Sequence, residues 1–133
     1  MELRFVWSEF NGRYYPGLLC SEEGERANYL RNLLTDDGGL GLDLHIPWLD
    51  EARAMCERAL LDNARHECFT TELFAADISQ EGVWISEITS DPLDGVRYSL
   101  SAFFGVLNDW IPYLERGRNI EKPNEIYVSH YSE

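Results

Sequence analysis

The run from Gly95 to Gly117, GVRYSLSAFFGVLNDWIPYLERG, limits the possible folds of this chain more than any other stretch. Val96, Tyr98 and Leu100 alternate with Arg97 and Ser99, the two-residue period of a strand. Leu100, Phe103, Phe104, Leu107, Trp110, Ile111 and Leu114 then follow the spacing of one helix face. Ser101 is placed to cap the helix start, and Arg116 and Arg118 stand at its negative end. Gly117 can close the helix in a left-handed conformation. Pro112 removes one backbone donor and predicts a kink in the last turn. A strand that runs straight into an amphipathic helix predicts a layered fold. Phe103, Leu107, Trp110 and Leu114 should lie back across the sheet that precedes them.

Sheet signals sit on both sides of two further helical patterns. Leu3, Phe5 and Trp7 alternate with Arg4 and Val6, and Asn11-Gly12 is a hairpin turn signal. Arg13-Tyr14-Tyr15 should return as the partner strand, with Pro16 at an edge or strand end. Phe5, Trp7, Phe10, Tyr14 and Tyr15 are too many rings for one interior, so one or two should be exposed. Ser21 and the acids Glu22, Glu23 and Glu25 predict a helix start, Ala27, Leu30, Leu33 and Leu34 its apolar stripe, and Asp37-Gly38-Gly39 its end. The loop from Asp36 to Asp43 reads as flexible. It lacks the GK[ST] of a phosphate loop and the alternating oxygens of an EF-hand.

Leu40 to Ile46 alternates and predicts a short edge strand, with Pro47 as the first residue of a second helix. Trp48, Leu49, Ala52, Met55, Cys56, Ala59 and Leu60 form that helix's apolar face. Three strands should follow as an antiparallel meander: Glu67 to Ile78, Val83 to Thr89 and Val96 to Leu100. Their apolar residues suggest a sheet covered on both faces. Ile126-Tyr127-Val128 predicts a last strand, and residues 130–133 should fray. The expected fold is α+β: an antiparallel sheet, built from the N-terminal hairpin plus a three-strand meander, packed by about three helices. A length of 133 residues suits a single domain over 1–133.

Charge narrows the function. The formal net charge is −13, which argues against direct nucleic-acid binding and against docking on an anionic membrane. No apolar run is long enough to span a bilayer, and Met1-Glu2-Leu3-Arg4 does not open like a signal peptide, so a cytoplasmic protein is expected. Residues Glu67 to Asp94 hold seven acids and no Lys or Arg, and Glu22 to Glu51 hold eight acids against two arginines. Acids in turns and loops would draw a basic protein partner. The candidate partner-binding residues are Asp36, Asp37, Asp43, Glu72, Asp77, Glu81, Glu87, Asp91 and Asp94.

No constellation spells out a reaction. Cys20, Cys56 and Cys68 have no paired spacing and read as reduced, buried small hydrophobes. His45, His66 and His130 show no metal-ligand spacing, and there is no GxSxG elbow. No catalytic, cofactor or metal residues are assigned.

The segment YSLSAFFGVLNDWIPYL, Tyr98 to Leu114, resembles a feature of small bacterial immunity proteins from contact-dependent and other polymorphic toxin systems. There a strand ends in a Leu-Ser-like pair, and a helix follows with Phe, Leu, Trp and a terminal aromatic-Leu pair. The size, acidity and α+β layout are similar too, while Pro112 departs from the pattern. The resemblance implies a non-catalytic protein that binds and neutralises a cognate toxin domain, often a basic nuclease. A generic interaction module or adaptor, and a small enzyme, remain as alternative classes.

Overall fold

The computed structural model describes residues 1–22 and 24–132. Three helices and two antiparallel sheets give the expected α+β class. Strands β1 (Glu2–Phe10) and β2 (Arg13–Cys20) form the predicted hairpin. Asn11 and Gly12 turn it with φ of 53° and 77°, the paired positive φ of a type I′ turn. Helices α1 (Glu25–Thr35) and α2 (Leu42–Leu61) follow. Strands β3 (Glu67–Thr70), β4 (Phe74–Ser79), β5 (Gly82–Glu87) and β6 (Val96–Tyr98) pair in chain order. Helix α3 (Leu100–Arg116) and strand β7 (Tyr127–His130) complete the chain. β7 pairs with β1, so the first sheet runs β2-β1-β7 and is separate from the meander.

Four local expectations are corrected. The meander has four strands, because Thr71-Glu72-Leu73 turns the chain inside the segment read as one strand. The Thr71 N–H donates to the Phe74 carbonyl at 2.8 Å, and the Leu73 N–H to Asp36 Oδ2 at 3.0 Å. That turn brings Phe69, Phe74 and Ile78 onto one face with Val83, Ile85 and Tyr98. The opposite face carries the cross-strand row Cys68, Asp77, Trp84 and Arg97, of which Cys68, Asp77 and Arg97 are exposed.

The predicted edge strand Leu40 to Ile46 is instead loop and helix. α2 starts five residues before Pro47, behind Gly41 at φ 83°. His45, Leu49, Ala52, Cys56 and Ala59 keep the buried helical period. Two leucines of the alternating pattern, Leu40 and Leu44, are left 66% and 59% exposed.

Helix starts are displaced as well. α1 begins at Glu25 behind Gly24, while Ser21 Oγ accepts the Glu2 N–H of β1. α3 is capped by Ser99, not Ser101. Ser99 Oγ accepts the Ala102 N–H at 3.1 Å, and the helix continues through Pro112 to Gly117 at φ 71°.

The C-terminal segment is docked. The Tyr131 N–H donates to the Met1 carbonyl at 2.8 Å, and its hydroxyl to Asp109 Oδ2 at 2.7 Å. Its ring would stand 3.3 Å from a Cβ placed on Gly105, so α3 accommodates it by having no side chain there. Glu133, also expected to fray, lies outside the described residues.

One buried cluster joins both sheets and all three helices. α3 packs mainly on α2 and reaches the meander at β5. Its aromatic end meets the other sheet: Phe5 of β1 touches Trp110 and Tyr113 edge-on at 4.9 and 5.4 Å between ring centres. The expected spine is therefore wedged between α2 and the two sheets. Phe103, Leu107, Trp110 and Leu114 are all buried. Trp110 Nε1 donates to the Leu34 carbonyl at 3.1 Å, and His45 Nε2 lies 2.8 Å from the same oxygen. Leu34 is in the last turn of α1, where carbonyls have no partner within the helix. Two side chains from α2 and α3 thus close α1 and position the loop beyond it.

Candidate partner-binding surface

The loop that leaves α1 is held by its own acids. Asp36 Oδ1 accepts the Gly38 N–H at 3.2 Å, and Asp37 Oδ1 the Gly39 N–H at 2.8 Å. Asp36 Oδ2 also takes the Leu73 N–H from the β3–β4 turn. Partial burial raises the Asp36 pKa, but hydrogen bonds from Leu73, Thr71, Gly38 and Glu72 outweigh it and hold the carboxyl below its ordinary value. The loop read as flexible is tied at both ends, and Asp36 serves the fold as its clasp.

Around this clasp lies a cleft of about 550 Å³, lined by Asp37, Leu40, Leu44, Trp48, Thr71 and Glu72 among others. Trp48 is 48% exposed yet fixed: its Nε1 donates to the Thr70 carbonyl, and its ring leans on Phe69 at 5.8 Å. Leu40, Leu44 and, on the adjoining turn, Leu73 add exposed apolar surface. Asp43 stands beside Leu44 in the first turn of α2. A second hollow of about 370 Å³ shares Asp37 and His45 and runs to Tyr14, Tyr15 and Pro16 of β2. Tyr14 and Tyr15 are 42% and 49% exposed. An immobilised Trp among exposed leucines and tyrosines, rimmed by carboxylates, has the composition of a protein-binding patch.

The other predicted acids lie elsewhere. Asp77 and Glu81 line a hollow of about 400 Å³ with Trp84 and Leu93 on the open face of the meander. Arg97 partly neutralises that place: its guanidinium donates to the Glu81 carbonyl and lies 5.3 Å from the Trp84 ring centre. Glu87 and Asp94 lie near Tyr29. Partial burial, then the charges of Glu25, Glu87 and Asp94, push the Tyr29 ionisation up. Asp91 caps the short helical turn Pro92–Asp94 by accepting the Leu93 N–H at 2.9 Å. The predicted acids thus divide among three places: Asp36, Asp37 and Glu72 line the cleft at Trp48, Asp77 and Glu81 line the hollow on the meander, and Glu87 and Asp94 lie near Tyr29.

Glu67 is the meander acid withdrawn from the surface role. Its carboxylate accepts from Arg58 at 2.8 and 2.9 Å and from Arg65 at 3.3 Å. The Arg58 hydrogen bonds outweigh partial burial and, with Arg65, hold its pKa near about 2. Of the cysteines, Cys56 is buried as expected, and burial followed by the neighbouring Glu57 charge pushes its thiol up to about 12. Cys68 is exposed because its strand position faces away from the core, whereas Cys20 lies opposite Leu3 on the core side of the edge strand β2 and is half-buried. No group of three metal-ligating side chains occurs among the described residues. No helix among them is long and apolar enough to cross a membrane.

The sequence reading found the acids of the main cleft but not its apolar floor. Trp48 was assigned to the core, and Leu40 and Leu44 to a strand. The available signal was Gly41, which starts a helix that must turn Leu44 outward. Comparison with models of known families, with curated proteins and with solved structures finds no match to this chain.

Proposed function

We propose that this chain is a non-catalytic immunity protein that neutralises a cognate bacterial toxin domain, a basic one such as a nuclease, by docking on the cleft around Trp48. The observation that carries the reading is the joining of a fixed, half-exposed Trp and exposed leucines with Asp37 and Glu72 at one place, with Asp43 next to Leu44 in the chain. The net charge of −13 would steer a basic partner, and Trp48 would anchor it once bound. The resemblance over Tyr98 to Leu114 supports the reading independently of the surface. It concerns the helix that holds the cleft in place, since Trp110 and His45 share the Leu34 carbonyl.

The test is to examine the neighbouring gene for a secreted protein with a variable C-terminal domain and to co-express that domain with this chain; a neighbour of unrelated kind would count against the function. The proposal expects growth to be rescued and a complex to co-purify. It also expects Leu44→Ser, a change at an exposed position, to weaken the complex by about tenfold, the loss of one interface anchor. Rescue without a complex, or a complex indifferent to Leu44→Ser and Trp48→Ala, would overturn the assigned surface. Full toxicity in the presence of the folded protein would overturn the function.

A further inference from the structure

The basic residues of this acidic chain are not evenly spent. Arg58 and Arg65 clasp Glu67, Arg53 pairs with Asp50, and Arg4 with Glu2. Arg116, Arg118 and Lys122 instead have no carboxylate within 4 Å among the described residues. All three line one cavity of about 240 Å³ beyond the end of α3, together with Trp7, Tyr113 and Tyr127.

The cavity is built rather than incidental. Trp7 stacks on Tyr113 with ring centres 6.1 Å apart and planes 19° from parallel. Arg116 lies 5.8 Å from the Tyr113 ring centre and 6.0 Å from that of Tyr127. Gly117, at φ 71°, turns the chain so that Arg118 lies 3.6 Å over the Tyr14 ring. Asn119 ties the loop: its Oδ1 accepts from Glu121 and Lys122, and its amide donates to Glu125 at 2.9 Å. Glu125 also lines the cavity, with its carboxylate engaged in that way.

The chemistry of the lining points to an acceptor. Three cations on one ring-walled cavity call for an anionic group, while the Trp7 Nε1, buried and without a hydrogen-bond partner, is closed off from solvent, so that Trp7 offers the space its ring. Offsetting the negative end of α3 accounts for Arg116 alone. It does not explain why Arg118 and Lys122 converge on the same space.

We infer that this cavity is a binding site for a small organic anion, a carboxylate or phosphate group carried on a flat ring. The ring would lie among Trp7, Tyr113 and Tyr127. The anionic group would meet Arg116, Arg118 and Lys122. The site is at the opposite end of α3 from the Ser99 cap and shares no lining residue with the cleft at Trp48.

The test uses the indole N–H signals of the four tryptophans in ¹⁵N-labelled full-length protein. Benzoate and phenyl phosphate are the two probes, and inorganic phosphate is the ring-free control, each titrated to about 10 mM. At least one ring-bearing anion should shift the Trp7 signal saturably, more tightly than inorganic phosphate, and the stronger of the two probes identifies the headgroup. The Arg116→Gln, Lys122→Gln double variant should bind about tenfold or more weakly. The other three indole signals, left in place, show that it is folded. Should that variant fail to fold, Arg118→Gln read by calorimetry replaces it, with weaker binding again expected. No saturable shift with either probe, equal affinity in the variants, or equal affinity for inorganic phosphate would overturn the assignment.

Discussion

The Leu34 carbonyl shows how single residues decide this architecture. It is one of the oxygens that α1 cannot satisfy internally, and it is buried. Trp110 and His45 both reach it, so their ring nitrogens join three helices at one atom. A carbonyl only accepts, so the hydrogen bond from His45 requires the proton on Nε2. Trp110→Phe keeps much of the ring packing but removes one donor. It should cost about 1–2 kcal/mol, read as a lower denaturant midpoint at unchanged slope. No local sequence signal pairs residues 34, 45 and 110, so this junction is not legible in the chain alone.

Glu67 makes the residue scale visible in solution. Its folded pKa of about 2 lies below its ordinary 4.5, chiefly through Arg58. A depressed carboxylate stabilises the fold above the ordinary pKa and loses that contribution as pH falls through the folded value. Stability should therefore decline between pH 4.5 and about 2, and Glu67→Gln should flatten that part of the profile. Arg58 and Arg65 are 37% and 45% exposed, so solvent screening keeps the contribution to about 1 kcal/mol. Acid titration of circular dichroism for the two proteins checks it.

Elements were legible wherever their signal was local. Asn11-Gly12 allows one turn type, and the β1–β2 hairpin formed as read. The seven apolar positions of α3 gave its extent to within two residues. The β3–β4 turn was not legible because Thr71-Glu72-Leu73 contains no Gly, Pro or Asn. Its stabilising contact comes from Asp36, far away in the chain. Leu40 to Ile46 failed for a different reason. Its strand-like alternation competes with the helical period of His45, Leu49, Ala52 and Cys56, and burial of that longer face prevails. Gly95 carries a prediction at this scale. A Cβ there would stand 2.5 Å from the Ile85 carbonyl oxygen and 3.1 Å from that of Pro92. Gly95→Ala should force β6 and the Pro92–Asp94 turn away from β5, at a cost of roughly 1–3 kcal/mol. Amide exchange should speed up at Val96 and Tyr98 more than in the β1–β2 hairpin.

At the scale of the whole molecule, the acids around Trp48 and the cations beyond α3 occupy different places, each beside apolar or aromatic surface. The sequence showed a strongly acidic middle and a small basic group after α3. It did not show that the acids divide into three places, because that division depends on the β3–β4 turn and on Arg97 crossing to Glu81. Nor did it show that Trp48 would be half outside, since helical spacing alone does not say which part of a stripe the next sheet covers. The central claim is that the cleft at Trp48 receives a basic protein partner by electrostatic steering. Salt should act on the rate of encounter, because the screening length falls from about 30 Å at 0.01 M to about 3 Å at 1 M. The most direct measurement is the stopped-flow association rate with the cognate toxin domain across that range, for the parent and for Asp43→Asn with Glu72→Gln. The account predicts a rate that falls by about tenfold or more with salt, and a shallower fall in the double variant. A rate independent of salt, or the same slope in both proteins, would contradict it.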